Sequence, residues 1–476
     1  MMNSQYLNAA PLRRRNFQRD FPVRQARKFK LPILLTLAHL PLGVALYGSG
    51  ALGLIHPLIV FAFGMRLACT AQVKLERVAM VVAYLVGSEI IWRMARLPIF
   101  WESGKYAAAA IMIAALVRRN LWHAPLLALF YFLFLLPSCF ITLFQFEPSI
   151  ARNLLSSNMS GPFLLAVSCW FCSHVKTDWT YLKSVLFTML LPLSSVAATT
   201  LFYTLMNANI QFHTESNHAT SGDFGPNQVS AMLGLGAFCC FTVLLLFKNR
   251  LAEELYLGAF AVFFVAQSVM TFSRGGMYNA TGAVLAMILV QMRKPGQSLL
   301  RLLPVGAIVL IFLAFVFPYL NDFTGGNLQT RFEDADPTSR GSIVEADLQI
   351  FSENPVFGVG VGASFWEYLV KLDRITSSHT EFTRLLAEHG LFGVLALVCL
   401  LLMFVHNFRR QTTNAGKALV AGFFAWSSLF MLNAGMRLAA PSFILGLCFL
   451  TVSNIQAGVR NSSGGRRKAD PRLFYG

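Results

Sequence analysis

The chain has 476 residues, of which 55% are hydrophobic and 13% charged. Soluble domains average about 25% charged residues, and apolar runs near twenty residues recur along this whole sequence, so a soluble globular protein is excluded. A net charge of +17 in a soluble protein would point to nucleic acid. Here Lys and Arg sit mostly in short loops and the two tails, where membrane topology accounts for them, and no nucleic-acid partner is expected.

The first thirty residues carry Arg13, Arg14, Arg15, Arg19, Arg24, Arg27, Lys28 and Lys30 against Asp20 alone. That is longer and more charged than the basic start of a cleaved signal. Residues 1–30 read as a basic cytoplasmic arm that lies on anionic lipid. Fourteen apolar runs follow, at about 31–49, 51–68, 77–97, 105–118, 124–145, 161–175, 181–205, 227–247, 254–272, 276–292, 302–320, 388–406, 417–433 and 438–455. As helices they match a hydrocarbon core about 30 Å thick, the fourth and sixth being short for it.

The expected fold is therefore all-α, a polytopic membrane protein of 12–14 transmembrane helices with a large, partly helical periplasmic loop. The bundle covers 31–320 and the loop 321–387; the last helices cover 388–456, and a basic cytoplasmic tail covers 457–476. Charge supports the count. With the N-terminal arm inside, every second connection is basic: Lys74 and Arg77, Arg118 and Arg119, Lys176, Lys248 and Arg250, Arg293 with Lys294 and Arg301, and Arg409 with Arg410 and Lys417. The positive-inside rule demands this alternation. Arginines on the outer side are few: Arg152, Arg274, Arg331, Arg340, Arg374, Arg384 and Arg437.

All eight cysteines fall inside apolar runs. Cys169 and Cys172 form a lone CxxC, whereas zinc needs four close ligands. They read as small packing residues, and no disulfide framework, metal or cofactor is expected.

Three outer segments carry candidate chemistry. Arg274 stands between two apolar runs and is followed by Gly275 and Gly276, which permit a sharp turn or a close headgroup approach. Its guanidinium either grips a phosphate with paired hydrogen bonds or simply reaches the interface. Arg331 and Arg340 flank Glu333, Asp334 and Asp336, so each is either an anion ligand or half of a surface ion pair. Thr338 or Ser339 caps a helix over 342–351 that puts Ile343, Ala346 and Ile350 on one face.

His379 opens an amphipathic helix carrying Phe382, Leu385 and Leu386. In the first turn the helix dipole favours the neutral, proton-accepting imidazole, which suits a general base, although a loop histidine is also often a mere surface residue. Glu381, two residues on, does not face His379 on a helix. Glu89 and Arg93, four apart in an apolar run, read as a structural pair rather than a site.

These pieces resemble the O-antigen ligase and polymerase superfamily of bacterial envelope glycan enzymes. The resemblance rests on Phe272-Ser273-Arg274-Gly275-Gly276, Arg340 followed by Asn354-Pro355-Val356-Phe357-Gly358-Val359-Gly360, and Ser378-His379-Thr380-Glu381-Phe382 leading into Leu385-Leu386-Ala387-Glu388-His389-Gly390-Leu391-Phe392-Gly393. Gly225-Pro226-Asn227-Gln228 is also similar. The likeness covers about 220–400, and the N-terminal third matches only as a run of helices.

The resemblance implies a membrane-embedded glycosyltransferase of the C type in the bacterial inner membrane. It takes a glycan from undecaprenyl diphosphate at the periplasmic face and passes it to a hydroxyl acceptor, with inversion and without a metal. It implies Arg274, with Arg340 or Arg331, as the diphosphate clamp and His379 as the base, with Glu381, Arg437 and Arg152 as further candidates. The family often has Asn directly after this histidine, and here Thr380 stands there. Polymerase, ligase and protein-glycosylating relatives share this donor chemistry and are not separated by it. The rival from another class is a flippase for lipid-linked oligosaccharide. Transporters commonly show inverted repeats and broken midplane helices, and neither is evident in the sequence.

Overall fold

The computed structural model describes residues 30–207, 210–292, 295–334, 340–373, 376 and 378–453. The basic arm before residue 30, the tail 457–476, Arg374 and the expected cap residues Thr338 and Ser339 lie outside these. The protein is all-α and polytopic, and ten helical stretches among the described residues are long and apolar enough to cross a membrane, two of them, Leu126–Gln145 and Leu302–Phe323, each interrupted within.

In chain order the helices are α1 (Lys30–Gly48), α2 (Gly50–Cys69), α3 (Leu75–Met94), α4 (Ser103–Arg118), α5 (Leu126–Leu135), α6 (Pro137–Gln145), α7 (Pro148–His174), α8 (Trp179–Met206), α9 (Pro226–Leu246), α10 (Leu251–Met270), α11 (Gly275–Gln291), α12 (Pro295–Ile311), α13 (Phe317–Phe323), α14 (Asn327–Glu333), α15 (Arg340–Glu353), α16 (Ser364–Leu372), α17 (Glu381–Arg410), α18 (Asn414–Ala434) and α19 (Ala439–Gly446). Two three-residue strands, β1 (Lys176–Asp178) and β2 (Thr451–Ser453), pair in parallel.

Four of the fourteen expected spans, α3, α4, α11 and α19, are helices that fall short of a lipid-facing span. α4 and α11 have 16 and 17 residues. α19 has eight before a short 3₁₀ turn. α3 is long enough but carries Glu76, Arg77, Glu89 and Arg93. Its C-terminal half is buried on every side from Leu85 to Met94, so protein rather than lipid surrounds Glu89 and Arg93.

α9 sits at the centre. It is apolar all round and buried from Val229 to Leu246, as expected of a helix with no solvent or lipid face. It packs against α8, α10, α11 and α18. α11 and α18 form the most extensive helix pair in the bundle. The start of α11 meets the end of α18: a β-carbon placed at Gly275 would lie 3.6 Å from the Asn433 side chain, and the Asn279 and Asn433 amides are 3.1 Å apart.

The expected run 124–145 is broken at Pro137, which has no N–H to donate and opens α6. α6 then serves the loop. Ser138 Oγ donates to the Phe357 carbonyl at 3.0 Å, and Thr142 Oγ1 to the Val361 carbonyl at 3.1 Å. α14, α15 and α16 form the cap, with a small core of its own. Ile343, Ala346 and Ile350, the face expected from the sequence, are buried there with Val359, Tyr368 and Ala387.

The glycine-rich turn 354–362 locks onto a break in α17. Gly390 has φ 58° and ψ −134° inside that helix. The Val359 and Gly360 amides donate to the freed carbonyls of Ala387 and Glu388, both at 3.1 Å, and the Leu391 amide donates to Pro355 at 2.7 Å. Gly358, at φ 68°, lies so close that a β-carbon there would be 2.3 Å from the Glu388 carbonyl carbon. Only glycine fits both conditions.

Candidate functional site

Arg274 caps the start of α11. Its turn is set from α9: Ser230 Oγ donates to the Ser273 carbonyl at 2.9 Å and accepts from the Gly276 amide at 3.2 Å. Ser273 Oγ donates to Asn227 Oδ1 at 2.8 Å. Gly276 is needed for close approach, since a β-carbon there would come within 2.0 Å of the Ser230 carbonyl. Gly275 has room for one. The two glycines expected to act alike therefore do different work.

Phe272, just before this turn, is buried at φ 57°. That conformation costs a bulky residue about 1–3 kcal/mol. Stacking on Phe212, with centroids 5.8 Å apart, helps to hold it. Its carbonyl accepts Arg331 Nε at 3.1 Å.

Arg331 lies in the last turn of α14 and is buried. Its pKa is lowered first by that burial and then by the neighbouring charge of Arg274. Arg274 Nη1 in turn donates to the Asp334 carbonyl. Asp334 and Glu215 act on Arg331 in the opposite direction. Two adjacent cations repel, and an anion between them removes that cost.

His379 precedes α17 rather than sitting in its first turn, because Thr380 occupies the cap position and the helix begins at Glu381. Its segment is held by Asp347 of α15, which is fully buried. Asp347 Oδ2 accepts from Ser378 Oγ at 3.0 Å and from Thr383 Oγ1 at 2.6 Å, while Oδ1 accepts from Tyr368. Burial raises the pKa of Asp347, against the pull of those three donors. On the other side, Arg437 Nη2 donates to the Ser378 carbonyl at 3.2 Å. Burial and then Arg384 lower the pKa of Arg437.

Glu381 does not face outward. It is buried, with Oε1 accepting Arg384 Nη2 at 2.5 Å and Oε2 accepting the Met436 amide at 3.1 Å. Arg384 also binds Glu388 at 2.7 Å and Asn158 of α7 at 3.1 Å. Ser364 donates to Glu388 at 2.8 Å. This cluster ties α17, α7 and the cap to the turn that carries Arg437.

Arg274 and Arg331 are thus brought together, and so are the His379 segment, Arg437 and Glu381. The two groups are linked where the start of α11 meets the end of α18, at the 3.1 Å approach of the Asn279 and Asn433 amides, Asn433 lying four residues before Arg437. Arg152 is exposed near the start of α7. Arg340 begins α15, and its side chain lies outside the described residues. The sequence reading did not pick out Asp347, Glu388 or Lys105. Glu388, four residues after Arg384 at the head of an apolar run, was visible as an ion pair. Asp347 carried no such local signal.

Residues 259–398 match the model of the O-antigen ligase family. The match bears out the superfamily resemblance, and it supports a membrane glycosyltransferase-like role in joining or polymerising surface polysaccharide. It runs from α10 into α17 and takes in Arg274, Arg331, Arg340, His379 and Glu381, while Arg152 and Arg437 fall outside it. Nothing among the curated proteins matches the chain.

Proposed function

We propose that this O-antigen ligase domain transfers a glycan from undecaprenyl diphosphate to a hydroxyl acceptor at the periplasmic face of the inner membrane. The observation that carries the reading is the pair of main-chain bonds by which Arg331 holds the Phe272 carbonyl and Arg274 the Asp334 carbonyl, which bring two arginines together where α11 meets the cap. Paired guanidiniums suit a diphosphate, whose charge grows as its bond to the sugar breaks.

In this reading the acceptor oxygen attacks the anomeric carbon from the face opposite the diphosphate. The carbon–oxygen bond to the diphosphate breaks, the configuration inverts, and undecaprenyl diphosphate leaves as an anion held by Arg274 and Arg331. Arg340, at the start of the neighbouring cap helix, is proposed as a further ligand. The hydroxyl proton passes to the His379 imidazole. Glu381, Arg437 and Arg152 differ in what they offer: Glu381 is committed to Arg384 and Met436, Arg437 borders the histidine segment, and Arg152 is exposed on α7.

His379→Ala tests the assignment. General-base assistance is worth about 100- to 10,000-fold, so transfer in membranes of a complemented deletion strain should fall by that order while the protein stays folded and inserted. Full transfer by His379→Ala, measured as polysaccharide formed per amount of protein, would remove the histidine from the mechanism.

A further inference from the structure

Three acidic or basic side chains from three helices grip the α18–α19 turn. Glu381 accepts the Met436 amide at 3.1 Å, Lys105 Nζ of α4 donates to the Met436 carbonyl at 3.0 Å, and Glu89 of α3 accepts the Ala439 amide at 2.6 Å. Tyr131 closes over the Met436 sulfur at 3.8 Å. Arg437 lies between these anchors. Gly435 at φ 60° bends the chain just before them.

Lys105 and Glu89 belong to one buried set of charges. Lys105 pairs with Glu102 and lies 3.0 Å from Ser160 Oγ. Glu89 binds Arg93 at 2.6 Å, and Arg93 also donates to the Trp101 carbonyl at 3.1 Å, its guanidinium 4.5 Å from the Trp101 ring centroid. Two acids and two bases balance. Removing four charges from water is costly, and apolar residues commonly hold helices together as well or better. What apolar residues cannot do is bond the main chain of a turn. Here two of the four charges do that, one on each side of Arg437.

We propose that Lys105 and Glu89 are positioning residues that fix Arg437 beside the histidine segment, where its guanidinium meets a phosphate oxygen of the lipid diphosphate. The inference rests on the reading of this end of the bundle as the donor site. A misplacement of about 1 Å by a supporting residue can cost on the order of 100-fold in rate, so a rigid frame of this kind has a chemical use.

The test is a double-mutant cycle on binding of undecaprenyl diphosphate to the purified full chain, with Lys105→Met, Arg437→Ala and the pair. Each single change should weaken binding by about tenfold, and the pair should bind no worse than Arg437→Ala alone, because both remove one contact. Losses that multiply, or an Arg437→Ala protein that binds as the parent does, overturn the proposal. Where Lys105→Met fails to fold, Glu89→Gln takes its place in the same cycle under the same criteria. Binding abolished by Arg274→Ala but additive in the cycle defeats only the positioning claim. Absence of undecaprenyl diphosphate binding by the unaltered protein defeats the donor-site reading with it.

Discussion

Arg274 and Arg331 each hold the other's chain. Arg331 Nε donates to the carbonyl of Phe272, two residues before Arg274, and Arg274 Nη1 donates to the carbonyl of Asp334, three residues after Arg331. The clasp joins the α10–α11 turn to the cap and sets two positive charges together. Arg274→Ala should lower transfer by about 100- to 1,000-fold, the order seen when a charge-stabilising donor is lost. Arg274→Lys should recover little, because an ammonium lacks the planar fork. Rates on native donor and acceptor in membranes decide this, and near-normal transfer by Arg274→Lys would show that charge alone suffices.

Glu381 gives a different expectation. It carries the Arg384 pair and the Met436 amide and is buried. Glu381→Gln keeps an oxygen for Met436 but weakens the ion cluster, at a cost of about 1–3 kcal/mol. Thermal unfolding in detergent should drop, with transfer falling in step. Loss of transfer at unchanged thermal stability would instead make Glu381 a participant in proton transfer.

Asp347 couples the cap to pH. Burial raises its pKa above the ordinary 3.8. An acid whose folded pKa is raised contributes stability that is fully present below the ordinary value and is lost as pH rises through the folded value. Hydrogen exchange of amides around Ser378 and Thr383, corrected for intrinsic rates, should therefore be slower at pH 4 than at pH 7. Asp347→Asn should flatten the difference. An unchanged slope in that variant would place the titrating group elsewhere.

Gly275 and Gly276 can be told apart. Gly276→Ala should disrupt the α9–α11 contact and lower thermal stability by about 1–3 kcal/mol or more, as overpacking does. Gly275→Ala should leave stability near the parental value, since its β-carbon finds ordinary contacts. A stable Gly275→Ala protein with poor transfer would indicate a headgroup pressed against that backbone.

Much of this was legible from local pattern. Span positions followed from apolar runs, the cap's inner face from Ile343, Ala346 and Ile350, and the candidate cations from their scarcity on the outer side. What the sequence hid were contacts between distant segments. Nothing near Asp347 foretold that it would hold Ser378 and Thr383, 31 and 36 residues away. Nothing near Lys105 foretold a bond to Met436, 331 residues on. The motif 354–360 also has a use the residue types did not reveal, because Gly358 and Gly390 need each other to close one joint.

That joint bears on how the protein meets its lipid surroundings. Because the turn 354–362 is stitched to α17 by main-chain bonds, the cap cannot ride up and down independently of that helix, and His379 stands two residues before its first residue. On the proposed reading, the depth at which α17 floats sets the height of His379 above the acyl chains. Bilayer thickness becomes a variable of the chemistry, and vesicles of short- or long-chain phospholipid would shift the reacting level through mismatch alone.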